Sequence, residues 1–249
     1  MLQRWKGLLV LLAFSLGSAS AQLVLTFDKG ATKDHQSVAQ VLSKSQYLKD
    51  TAKFFNDRIK FPRKLPIRFL TCKEDNAFYD PDLREIQMCY ELIEGYSKLE
   101  DTSDREDKYL NATVFTLLHE LGHGLIDQLR LPATGREEDA VDQFATLALL
   151  ALEDEQAIFS GIGQFLSDAE QEAEDELDYS GAHSFSMQRM YAMTCLVYGS
   201  NTRRFKTLPK EYDLPRERSE ECKEEHDDAQ YAWNTILKPH LKNPSKKIF

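Results

Sequence analysis

The chain has 249 residues, of which 42% are hydrophobic and 29% charged, and a formal net charge of −10. An acidic chain lacks the concentrated positive field that nucleic-acid binding requires. Its apolar content and lack of repeats exclude intrinsic disorder and a fibrous architecture.

Residues 1–21 open with Arg4 and Lys6, continue with an apolar core, and end Ala19-Ser20-Ala21. This is the layout of a secretory signal peptide. The apolar stretch Leu8–Leu16 is short for a bilayer span, and no later segment reaches about 18 apolar residues. Cleavage after Ala21 removes two cations and no anions, so the formal charge moves from −10 to −12. The remainder, 22–249, is long enough for one sizeable core and is expected to form a single domain, exported to the periplasm or the extracellular space.

Gln22–Phe27 reads as a strand ahead of Asp28-Lys29-Gly30. From Ser37 to Ile59, Val38, Val41, Leu42, Leu48, Ala52 and Phe55 recur at helical spacing, which predicts one helix ended by Pro62. Pro66–Thr71 reads as a second strand. Ala77-Phe78-Tyr79 is extended, Asp80-Pro81-Asp82 turns the chain, and Glu85–Glu91 is a third strand, so 78–90 forms a broad hairpin. Helices follow over about 91–99, 110–130, 136–152, 154–168, 184–198 and 218–237. A small sheet followed by helices is an α+β order. The acidic run within Ser167–Ser180 reads as solvated surface. Lys242–Lys247 reads as a frayed end, His226 and His240 as surface residues, and Trp233 as core.

Four cysteines remain after the signal, an even number in an oxidising compartment. The expected pairs are Cys72–Cys89, stapling the hairpin, and Cys195–Cys222. A zinc site built from all four would need close-spaced cysteine pairs, which the sequence lacks.

The chemistry centres on His119-Glu120-Leu121-Gly122-His123. Residues i and i+4 stand one above the other on a helix, so His119 and His123 can offer two imidazole nitrogens to one ion. Glu120 can then take a proton from water at the open position. With six histidines in 249 residues, this spacing rarely arises by chance. Val114, Leu117, Leu118, Leu121 and Leu125 give the helix an apolar body, and Gly122 and Gly124 leave room for close approach. Catalytic zinc sites use three protein ligands. The next helix, opening Gly135-Arg136-Glu137-Glu138-Asp139, supplies Glu138 as the expected third ligand, with Glu137 as its competitor. Asp142 shares the Glu138 face and is too deep in an apolar helix to be a cap; its expected duty is to accept a hydrogen bond from a ligand histidine. His183, Arg189 and Tyr191 are candidates for the donor that stabilises an oxyanion.

His119–His123 followed by Glu138-x-x-x-Asp142 resembles the gluzincin clan of zinc metallopeptidases. Asn76–Pro81, Cys89–Leu92, Gly135–Ala140 and Ala232-Trp233 resemble a bacterial metallopeptidase-like family, a domain of unknown function, over about residues 25–243. The resemblance implies a zincin-like core, one Zn2+ per chain and a peptide or protein substrate. Thermolysin-like peptidases carry an Asn-Ala-Phe-aromatic edge strand, so the resemblance also implies that substrate adds as a strand along Asn76, Ala77, Phe78 and Tyr79. The third histidine of the metzincin pattern is absent, since Leu129 stands in its place. The function expected from these residues is an exported zinc peptidase with Glu120 as general base. Two alternatives stay open: a zinc-holding binding or assembly module without turnover, and a hydrolase of a non-protein amide such as a cell-wall crosslink.

Overall fold

The computed structural model describes residues 22–97, 107–172 and 179–249. The signal segment and positions 173–178 of the acidic run lie outside these residues. The fold is α+β, a small mixed sheet with two helices between its first two strands and a pile of helices after its last.

Four strands, β1 (Leu23–Phe27), β2 (Leu65–Leu70), β3 (Ala77–Asp80) and β4 (Glu85–Cys89), stand in the order β1-β2-β4-β3. β1 and β2 are parallel, as are β2 and β4, whereas β3 returns antiparallel to β4. Parallel neighbours need a long crossover. Here it is supplied by α1 (Lys33–Lys44) and α2 (Gln46–Arg58). The sequence reads as one helix there, and the structure corrects this to two. Ser45 leaves the helical region at ψ 121°, and its hydroxyl accepts from Leu48 N–H to cap α2. Periodicity survives such a break because the apolar face continues across it.

Alternation sets the inward face of the sheet. Leu65, Ile67 and Phe69 of β2 and Ile86 and Met88 of β4 are buried, and the register pairs Ile67 with Ile86 and Phe69 with Met88. The third strand ends at Cys89, two residues early, because Tyr90 begins α3 (Tyr90–Tyr96). Both expected disulfides are present. Cys72–Cys89 joins the exits of β2 and β4 rather than the two strands of the hairpin, so it closes the loop that carries β3.

The remaining helices are α4 (Asp107–Leu129), α5 (Glu137–Ala151), α6 (Glu155–Glu172), α7 (Ser186–Ser200), α8 (Leu208–Glu211) and α9 (Arg216–Leu237). The four-residue α8 is too short to leave a periodic signal. α4 is central, packing on α3, α5, α6 and the sheet. Its Val114, Leu117, Leu118, Leu121 and Leu125 are all buried. Two glycines set its distance from its neighbours. A Cβ on Gly122 would stand 2.7 Å from Val141 Cγ1 of α5, and one on Gly124 would stand 3.1 Å from Leu65 of β2.

Two further expectations are corrected. Residues 242–249 are docked rather than frayed. Lys242 N–H donates to Arg58 C=O, the Asn234 side chain bonds Ile248 and Phe249, and the Phe249 ring meets Phe144. The polar stretch hid the two apolar residues that anchor it. His226 is buried against α7 rather than exposed. Trp233 is in the core, as expected. No helix among the described residues is long and apolar enough to cross a membrane.

Candidate metal centre

α4 and α5 cross where Gly122 meets Val141, and this contact brings the two helices' polar residues face to face. His119 and His123 project from α4, with ring centroids 5.0 Å apart, toward Glu138 in the first turn of α5. Acidic residues in that turn are favoured by the helix dipole, which helps hold three carboxylates, Glu137, Glu138 and Asp139, at one helix start.

Glu138 Oε2 lies 3.2 Å from His119 Nε2, 3.4 Å from His123 Nε2 and 2.9 Å from His183 Nε2. It is buried and makes no hydrogen bond of good geometry with any of them. Four ligands held at about 2.0–2.1 Å in a tetrahedron stand about 3.3–3.4 Å apart, close to the spacings from His119 and His123. A buried acceptor ringed by imidazole nitrogens at such distances suits a cation between them. His119, Glu138 and His183 form a group able to hold a metal ion.

The outer nitrogens are also committed. His119 Nδ1–H donates to Asp142 Oδ1 at 2.8 Å, and His123 Nδ1–H donates to Glu137 Oε1 at 2.7 Å. A carboxylate only accepts, so each contact places a proton on Nδ1 and leaves Nε2 as the ring atom facing Glu138, the nitrogen whose lone pair a metal would take in place of a proton. The sequence presents Glu137 and Glu138 as rivals for one position; the structure separates them, one behind His123 and one facing the imidazoles. The partnership of Glu137 with His123 has no local sequence signal, because it depends on how two helices cross.

Asp142 is where its depth in α5 places it. Its second partner is Arg189, which donates from Nε to Oδ2 at 2.7 Å and from Nη2 to Oδ1 at 2.8 Å. Arg189 therefore faces Asp142, not the open cleft. Tyr191 is likewise absent from the cleft and packs against the Cys195, Leu214 and Cys222 cluster. His183, on the connection entering α7, does reach the cleft. Its side chain is 57% exposed, and its backbone carbonyl accepts from Arg136 at 3.0 Å.

Glu120 points to the other wall. Its Oε2 accepts from the Tyr79 backbone N–H at 2.8 Å, and the Tyr79 hydroxyl donates to Asp127 at 2.6 Å. β3 is an edge strand with one side on β4 and the other turned to α4. Asn76, Ala77, Phe78, Tyr79 and Pro81 line one side of a cleft of about 580 Å³, facing His119, Glu120, His123, Glu138 and His183.

Burial favours the neutral carboxyl of Glu120 and raises its pKa against the pull of the nearby histidines. Burial works against charge on His119, yet Asp142 and Glu138 outweigh it and push its pKa up to about 9. His123 also shifts upward: burial opposes this, but Glu138 and Glu137 overcome it. Burial would raise Glu138, but the imidazoles hold it far below the usual carboxylate range. A folded-state pKa above the unfolded value gives stability that is complete below about 6.5 and is lost as pH rises through about 9. The metal-free protein, kept in chelator, is therefore expected to melt at progressively lower temperature between these pH values. A flat melting profile across that window would contradict the His119 environment described above.

Comparison with known proteins agrees with this arrangement at the level of family. No curated protein and no solved structure matches the chain. Residues 27–237, most of the chain, match the DUF4344 family, described as "Putative metallopeptidase", and the chain belongs to that family.

Proposed function

We propose that the protein is an exported zinc-dependent peptidase, with one metal held by His119, His123 and Glu138 and with Glu120 as general base. The observation that carries this reading is the convergence of imidazole Nε2 atoms on Glu138 Oε2, with Glu120 beside them on the wall of an open cleft. A divalent metal held there supplies a Lewis acid that acidifies water and polarises an amide carbonyl.

The chain's own residues do the rest. Asp142 and Glu137 keep His119 and His123 in the ligating tautomer. Glu120, raised by burial and anchored by Tyr79 N–H, takes the proton of the attacking water and returns it to the leaving amine. The outer side of β3 receives the substrate as an added strand along Asn76–Tyr79, which favours an extended peptide over a compact amide. His183, which reaches the cleft, is the candidate donor to a developing oxyanion. Residues 1–21 act as the export signal, and the two disulfides suit an oxidising compartment.

One observation favours a second reading, a metal-holding module without turnover. His183 brings a fourth protein group to Glu138, and closed four-ligand zinc sites are structural. Incubating the protein with a diverse peptide library, with and without chelator, and reading cleavage by mass spectrometry separates the two. Chelator-sensitive cleavage is expected; stoichiometric zinc with no cleavage of any peptide would favour the module.

A further inference from the structure

Arg189 lies in the first turn of α7, and its side chain is only 13% exposed. Its guanidinium meets the Asp142 carboxylate, itself 7% exposed, edge to edge through two hydrogen bonds of 2.7 and 2.8 Å. The Cζ of the same guanidinium lies over the Phe165 ring of α6, 4.1 Å from the centroid. Asp142 Oδ1 also accepts from His119 Nδ1. A continuous series of contacts, Phe165 to Arg189 to Asp142 to His119, thus crosses from α6 through α7 and α5 to α4.

We propose that Arg189 is a positioning residue of the metal centre, acting through Asp142 on His119. The inference rests on the reading that His119 and Glu138 hold a metal. A carboxylate with a single partner can swing about its last side-chain bond, and His119 alone would not fix its plane. The two-point fork of Arg189 fixes that plane, and the cation–π contact with Phe165 helps hold the fork in place. With the plane set, Oδ1 is held on the Nδ1–H of His119, and Nε2 is held toward Glu138. Arg189 also keeps the desolvated carboxylate matched by a cation on the side away from the metal. Lysine would bring the charge without the fork, because a single ammonium cannot engage both oxygens in one plane.

A purely architectural ion pair between α5 and α7 would change only the melting temperature when removed; a positioning residue changes metal binding in protein that is still folded. The test measures zinc affinity by competition with a chromophoric chelator, the visible spectrum of the cobalt(II)-loaded protein, and the melting temperature, for the parent, Arg189→Met and Arg189→Lys. Arg189→Met is expected to weaken zinc binding by about 10- to 100-fold, the range for residues that support a ligand, and to alter the cobalt spectrum. Arg189→Lys should fall between it and the parent. Parent-like zinc affinity in folded Arg189→Met overturns the proposal, whatever happens to stability. So does full recovery by lysine, since charge alone would then suffice. If Arg189→Met does not fold, the lysine variant decides on the same criterion. A parent that takes up no metal overturns the metal reading itself and this inference with it.

Discussion

Replacing Glu120 with glutamine is expected to lower peptide turnover by at least the roughly 10²- to 10⁴-fold typical of general acid–base catalysis, with zinc retained. Glutamine keeps the length of the side chain and can still accept from Tyr79 N–H, the contact that anchors Glu120 in the cleft. It cannot take a proton from water. The burial that raises the Glu120 carboxyl makes it a stronger base than an exposed glutamate, and the amide forfeits that advantage completely. Steady-state cleavage of a peptide selected from the library, with metal content measured on the same sample, checks both halves. Unchanged turnover would remove Glu120 from the mechanism. Loss of the metal would show that the residue ligates instead.

Glu138→Ala and Glu137→Gln should part company just as sharply. Glu138 Oε2 is the point on which His119, His123 and His183 converge, so the alanine variant is expected to lose stoichiometric metal and all cleavage. Glu137 accepts instead from the far nitrogen of His123. Its glutamine variant still offers an oxygen to that N–H, so metal should remain bound, weakened by about 10- to 100-fold at most. Metal analysis after purification without chelators decides between these adjacent residues. The reverse result, with Glu137 essential and Glu138 dispensable, would overturn the ligand set.

What the sequence revealed and what it hid follow a physical division. The helix with His119 and His123 is legible because both histidines belong to one helix face, and helical spacing is written locally. The cysteine pairs are legible because each closes a modest loop, and the extended segment 77–79 because alternation and a Pro-containing turn mark it. Ser45 escaped notice because a helix break that preserves the apolar phase leaves no gap in the pattern. The docking of 242–249 escaped because its anchors, Asn234, Phe144 and Arg58, are distant in sequence. The contacts of Glu137 with His123 and of Arg189 with Asp142 depend on helix crossings, which no local window encodes. Arg189 stands out by residue type alone, as a cation near the end of the site, but its direction comes only from the packing of α7 on α5.

The close approach of α4 and α5 at Gly122 acts as a gauge block for the candidate metal centre. Val141, the residue that Gly122 touches, lies between Glu138 and Asp142 on the same helix, so the helix-to-helix gap there sets how far Glu138 stands from His119. Carbon atoms pack comfortably at about 3.5–4.0 Å, whereas a Cβ at position 122 would stand 2.7 Å from Val141 Cγ1 and 2.8 Å from its Cβ. Relieving that overlap requires the helices to part by roughly 0.8 Å or more, whereas metal–ligand distances tolerate only about ±0.2 Å. The distance between the histidine face of α4 and Glu138 is thus calibrated by the hydrogen atom that Gly122 carries in place of a methyl group.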